Sequence, residues 1–126
     1  MKFEQVFKKL GDMELTLNEA LHYCATENIG IVEFCNEVMV VTATQYHENS
    51  IDYSFADGVA NNVYGFMVSD YYLGVTENSL SEPAYSIYLA FDAGEYFHKN
   101  DDRSIDPEFK YTRPEIERIL SEIKNS

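Results

Sequence analysis

At 126 residues, with 45% hydrophobic and 14% aromatic side chains, the chain has the size and apolar content of one folded domain. Such a domain buries roughly 65 to 70% of its unfolded surface without metal or disulfide staples, which excludes a disordered or fibrous class. Its 22 carboxylates against 9 Lys and Arg give a net charge of -13, a balance that repels nucleic acid and anionic membrane.

The opening residues, MKFEQVFKKLGDMEL, lack the apolar run and small-residue cleavage site of a signal peptide, and no stretch reaches the ~18 apolar residues of a membrane span. Two cysteines, Cys24 and Cys35, are too few for a disulfide scaffold and fit small core residues in a reducing cytoplasm.

In chain order, Phe3, Val6, Phe7 and Leu10 fall at i, i+3, i+4 and i+7, the stripe of a short helix stopped by Gly11. Thr16-Leu17-Asn18-Glu19 is a capping box, predicting a helix from Leu17 to about Glu27 with Leu17, Ala20, Leu21 and Cys24 inward. The runs Ile29–Phe34 and Val38–Thr42, separated by Asn36-Glu37, are rich in β-branched residues and predict an antiparallel hairpin. Alternation in Ile51–Phe55 predicts a third strand. Residues 55 to 68 have helical spacing despite Gly58, Asn61, Asn62 and Gly65, and a helix is predicted there against those poor formers. Asp70–Val75 reads as a strand. Tyr85, Ile87, Leu89 and Phe91 alternate with Ser86, Tyr88 and Ala90 as in a strand, although a helix running to His98 fits the same residues. After a charged loop with an Asp106-Pro107 turn, Thr112-Arg113-Pro114-Glu115 forms a second capping box, and Ile116, Ile119, Leu120 and Ile123 supply the buried face of a last helix. The expected fold is one α+β domain over residues 1–126, a mainly antiparallel sheet with N-terminal and C-terminal helices.

Charge is distributed unevenly. From Leu10 to His98 there are fourteen carboxylates and no Lys or Arg, where average usage supplies roughly ten bases. Solubility accounts for acidity of this kind, and so does a surface cleared of positive charge to attract a basic protein cleft. Nine of the ten tyrosines, among them Tyr46, Tyr53, Tyr64, Tyr71, Tyr72, Tyr85 and Tyr88, lie in the same segment. Tyrosine suits both sheet packing and binding surfaces.

Catalytic signatures are absent from the sequence. His22, His47 and His98 stand far apart, with no nucleophile motif beside them. Glu95-Tyr96-Phe97-His98 has the ExxH spacing of a carboxylate-bridged metal site but no second copy. The stretch from Asn100 to Asp106 resembles an acidic ion loop with Ile105 where a calcium loop needs glycine. A small metal-dependent protein using Glu95, His98 and Asp101 is thus an alternative, while the expected state is a non-enzyme without cofactor.

The segments AFDAGEYFH and DPEFKYTRPEI, within Tyr88 to Ile116, resemble the C-terminal part of small immunity proteins that accompany bacterial polymorphic and contact-dependent growth-inhibition toxins. That resemblance implies a cytoplasmic protein that binds and neutralises a cognate toxin domain, often a nuclease. An acidic face opposite a phosphate-binding cleft is physically consistent with it. A phage-type DNA mimic is the competing binding module. The expected partner is a basic protein surface, with no nucleic acid and no membrane, and the chain is expected to be monomeric. The expected contact residues are Asp52, Asp57, Asp70, Tyr71, Tyr72 and Glu77, where acid and aromatic character concentrate.

Overall fold

The computed structural model describes residues 1–125 and is built from helices. They are α1 (Phe3–Gly11), α2 (Leu17–Glu27), α3 (Ile31–His47), α4 (Tyr53–Met67), α5 (Asp70–Val75), α6 (Ala84–Ala93) and α7 (Arg113–Lys124), with a π-helical turn at Glu108–Thr112 leading into α7. No strand occurs among the described residues, so the expected antiparallel sheet is overturned and the domain is all-helical. No helix is long and apolar enough to cross a membrane among the described residues.

Helix α3 replaces the predicted hairpin. Its buried side chains are Ile31, Phe34, Cys35, Val38, Met39, Thr42, Ala43 and Tyr46, a 3.6-residue stripe maintained over four turns. The β-branched residues suit a strand locally, but a stripe that long has one face to bury, and burial of that face outweighs the few tenths of a kcal/mol of propensity per residue. Asn36, placed by the sequence in a hairpin turn, instead accepts the Ala84 N–H at 3.0 Å. It thereby satisfies an unpaired donor at the start of α6, which has no side-chain cap of its own. The predicted strand at 51–55 is the start of α4, capped by Asp52, whose Oδ1 accepts from Phe55 N at 2.8 Å. Asp70–Val75 is the short α5 capped by Ser69. In α6 the buried residues Ala84, Ile87, Ala90 and Phe91 mark a helical face, which settles the segment against a strand.

The helices at the ends, and α4, are where the sequence places them. Thr16 and Glu19 form the reciprocal capping box of α2. The second capping box does not form: Thr112 is buried and donates its hydroxyl to Ala90 O at 2.7 Å, since the chain already turns helically from Glu108. On α7, Ile116 and Ile119 are buried and Leu120 is half-buried, while Ile123 lies toward the surface.

Packing centres on α3, against which α4, α6 and α7 lie, with α2 alongside. Tyr46 of α3 and Phe91 of α6 meet edge-on with centroids 5.2 Å apart. Helix α1 crosses α4 where both lack a side chain. A Cβ on Gly58 would stand 2.3 Å from Gly11 O, and one on Gly11 would run into the Phe55 ring. The glycine that weakens α4 as an isolated helix is what lets α1 reach it.

Gly58→Ala should therefore destabilise the fold by about 1–2 kcal/mol, because backbone overpacking of ~1–3 kcal/mol exceeds the ~1 kcal/mol gained in helix propensity. Gly74→Ala, in a helix where an added Cβ meets open space, should be neutral or stabilising. Urea denaturation of both variants checks the pair.

Candidate functional site

The six expected contact residues do not gather into one surface. Asp52 caps the start of α4 and is exposed. Asp70 and Tyr71 are exposed on α5 beyond the far end of α4, and Glu77 is exposed in the following loop with φ 56. Some 20 Å of helix separates the two groups. Tyr72 is a correction: it is wholly buried and donates its hydroxyl to Ser81 Oγ at 2.6 Å, so it fastens α5 to the core and presents nothing to a partner. Adjacent residues on a helix point about 100° apart, which is why Tyr71 is 51% exposed while Tyr72 is enclosed. Asp57 faces α6.

Glu95, His98 and Asp101 are each engaged in structural bonds. Glu95 Oε2 accepts from Asn61 Nδ2 at 3.0 Å. The His98 ring lies between Tyr96 and Tyr111, at centroid distances of 4.7 and 4.1 Å, with Nε2 2.9 Å from Ala93 O. Asp101 accepts from Lys110 Nζ at 2.7 Å, Tyr111 OH at 2.5 Å and His98 N at 2.8 Å. The Lys110 bond, then those from Tyr111 and the His98 backbone, hold its carboxyl far below the usual range. Among the described residues, no group of three or more His, Cys, Asp and Glu side chains is placed to hold a metal ion. Asp102 Oδ1, in the acidic loop, accepts from Ser104 N and Oγ. Both cysteines are buried and unpaired. Burial pushes the Cys24 thiol up to about 11 and that of Cys35 to about 12, which leaves neither as a nucleophile.

What the fold does assemble is the outer seam of α4 and α6. On α4, Asp57, Asn61 and Tyr64 recur at i, i+4 and i+7, and on the antiparallel α6 Tyr85, Tyr88 and Asp92 form the matching row, with Glu95 just past its end. Tyr64 and Tyr88 stack at 3.9 Å with rings 4° from parallel. Tyr85 extends the stack, 6.4 Å from each. All three are half-buried, so part of each ring faces water.

At the other end of the seam three carboxyls converge. Asn61 Nδ2 donates both to Asp57 O at 2.9 Å and to Glu95 Oε2 at 3.0 Å, tying the helices together. Asp57 Oδ1 is shut off from solvent and no protein donor reaches it. An ionised carboxylate is poorly compensated in such a place, and burial favours the neutral acid. Burial, then the bond to Glu95 and the charges of Glu95 and Asp92, raise Asp57 from 3.8 to about 8. Asp92 is raised by burial and by Glu95. Tyr88 is pushed up to about 12, first by burial and then by Asp92. No Lys or Arg lies between Leu10 and His98 to offset these charges.

An aromatic stack beside under-compensated carboxyls is chemically suited to cations carried on a protein surface. A guanidinium can lie on a tyrosine face and pair with a carboxylate at once. Sequence reasoning singled out Asp57 but not Asn61, Tyr64, Tyr85, Tyr88 and Asp92 as one surface. The signal lies in the rows 57/61/64 and 85/88/92, which share a surface only when 85–92 is helical.

The raised pKa of Asp57 gives the fold a pH signature. The folded chain holds a proton on Asp57 that the unfolded chain releases near pH 4, so the stabilisation is full below that pH and declines as pH rises, ending above about 8. Asp57→Asn keeps the hydrogen bond without the titration. Its melting temperature should exceed that of the wild type by an amount that grows from pH 5 to pH 9, reaching about 1–2 kcal/mol of stability, less than the full shift because the pair is partly screened by solvent. Thermal melts across that range check it.

Compared with known proteins, the chain matches no family model, no curated protein and no solved structure, so its function is to be read from these residues.

Proposed function

We propose that this chain is a non-catalytic inhibitor that binds one basic protein partner, acting in the cytoplasm as the immunity protein of a toxin domain, of the nuclease kind. The observation that carries this is the α4–α6 seam: stacked Tyr64, Tyr85 and Tyr88 bordered by Asp57, Asp92 and Glu95, in a segment without a single base. Tyrosine supplies buried anchoring area in complexes, and the surrounding negative field speeds encounter with a positive cleft. The engagement of Glu95, His98 and Asp101 in internal bonds weighs against a metal-dependent activity.

The DNA-mimic alternative shares the acidity. A phosphate mimic, however, depends on ionised, solvent-facing carboxylates, whereas here burial disfavours the ionised form of Asp57 and the seam is dominated by aromatic rings. That mixture favours a protein partner gripped by side-chain packing as well as charge.

Calorimetric titration against the toxin domain encoded beside this chain should show one-to-one binding that weakens about tenfold or more between low salt and ~0.5 M salt, as steered, partly exposed charges are screened. Tyr88→Ala should cost at least about tenfold in affinity with the helical spectrum unchanged, while Glu33→Gln, exposed on α3, should leave it unaltered. No binding at low salt would refute the proposal.

A further inference from the structure

On the opposite flank of α6 from the tyrosine stack runs a groove between α6 and α7. It comprises two adjoining hollows of about 220 and about 330 Å³ that share Ser86 and Arg118. Both walls are helical stripes. Ser86, Leu89, Ala90 and Ala93 follow one another along α6, and Arg118, Ile119 and Ile123 along α7. The helices are antiparallel, since Ala93 stands opposite Tyr111 and Glu115 while Pro83 stands opposite Glu122 and Ile123. From Pro83 to Ala93 the groove extends ~15 Å, about three helical turns. The small Ala93 lines one end, and Leu89, 44% exposed, forms an apolar wall.

The charges on its rim decide what kind of segment fits. Glu82, Glu115 and Glu122 line the groove, and the one base, Arg118, is already bonded to both Glu115 and Glu122. The rim is therefore net negative, and its positive charge is neutralised from within α7. A segment seated there gains from apolar side chains along its inner ridge and from Lys or Arg on its flanks, the pattern of a basic amphipathic helix in a groove.

We infer that the α6–α7 groove receives an amphipathic helical segment of the basic partner, with its apolar ridge against Leu89, Ala93 and Ile123 and its basic flanks toward Glu82, Glu115 and Glu122. This rests on the proposed binding of a basic protein and locates part of it. Helix α6 then becomes a ridge held from both sides, its tyrosines against the partner's cationic surface and its Leu89 and Ala93 against the partner's helix.

The test uses the intact chain and a fluorescent synthetic helix of about four turns, with Leu along one face and Lys on the other, together with a permuted peptide of identical composition whose leucines do not align. Backbone amide shifts on titration should concentrate at the groove residues of α6 and α7. The permuted peptide should bind about tenfold more weakly, and Leu89→Asn, a surface change without added charge, should weaken the aligned peptide by about tenfold. Equal binding of both peptides, unchanged affinity in Leu89→Asn, shifts centred on Tyr64, Tyr85 and Tyr88, or no binding at all would each overturn the inference. Calorimetry with the toxin domain separates the two levels: if that domain binds and the aligned peptide does not, the groove assignment falls while the inhibitor function stands. If the toxin domain fails to bind, the function itself falls.

Discussion

Helix α3 is buried along one face from Ile31 to Tyr46, and the remaining helices are arranged by the need to cover it. Helices α4, α6 and α7 pack on it directly and α2 lies beside it, so that Phe34, Val38, Met39 and Tyr46 meet apolar partners on several sides. An element this apolar is stable only when enclosed, because its own propensity is modest and its helix exists by virtue of tertiary burial. Polar groups on α3 are consequently handled internally. The Thr42 hydroxyl donates to Val38 O at 2.7 Å, and the Tyr46 hydroxyl donates to Glu108 Oε2 at 2.7 Å beneath the Arg113 guanidinium, 4.6 Å above its ring.

The enclosure of α3 fixes α4 and α6 side by side and so creates the acid–tyrosine seam as a consequence of packing. Two helices placed there by apolar faces bring Asp57, Asp92 and Glu95 together on their outer edge, in a segment with no base to pair with them. Elsewhere in the chain such carboxylates find cations, as Asp101 does with Lys110 and Glu19 with Lys9. At the seam the substitute is the Asn61 amide, bonded to Asp57 O and Glu95 Oε2, and the pKa of Asp57 is raised. An amide is weaker compensation than a cation, and a surface left under-compensated in this way favours a partner that brings the missing charge.

The same geometry gives α6 two unlike flanks. Tyr85 and Tyr88 stack toward α4, while Ser86, Leu89, Ala90 and Ala93 open toward α7. One ten-residue helix therefore contributes to the core through Ile87 and Phe91, to an aromatic surface and to a groove. Its start is secured from outside itself by Asn36 of α3, and its end packs closely, since a Cβ on Gly94 would stand 2.1 Å from Thr112 Oγ1.

The sequence by itself determined the helices whose signals are local: α1 by its i, i+3, i+4, i+7 stripe, α2 by the Thr16–Glu19 capping box, α4 by its spacing in spite of its glycines, and α7 by Ile116 and Ile119. It also determined the unbroken absence of bases from Leu10 to His98, which is composition and needs no fold. Tertiary structure alone decided α3, α5 and α6. Short runs of Val, Ile, Tyr and Phe carry high β propensity and alternate by chance over a few residues, and only the burial of a full helical face, with Asn36 acting as a cap across 48 residues, tips them to helix. The site followed the same division. That acid and tyrosine abound was legible, but which of them share a surface depended on packing: α4 with α6 brought Asp57 beside Glu95, and the docking of α5 put Tyr72 inside and left Tyr71 outside.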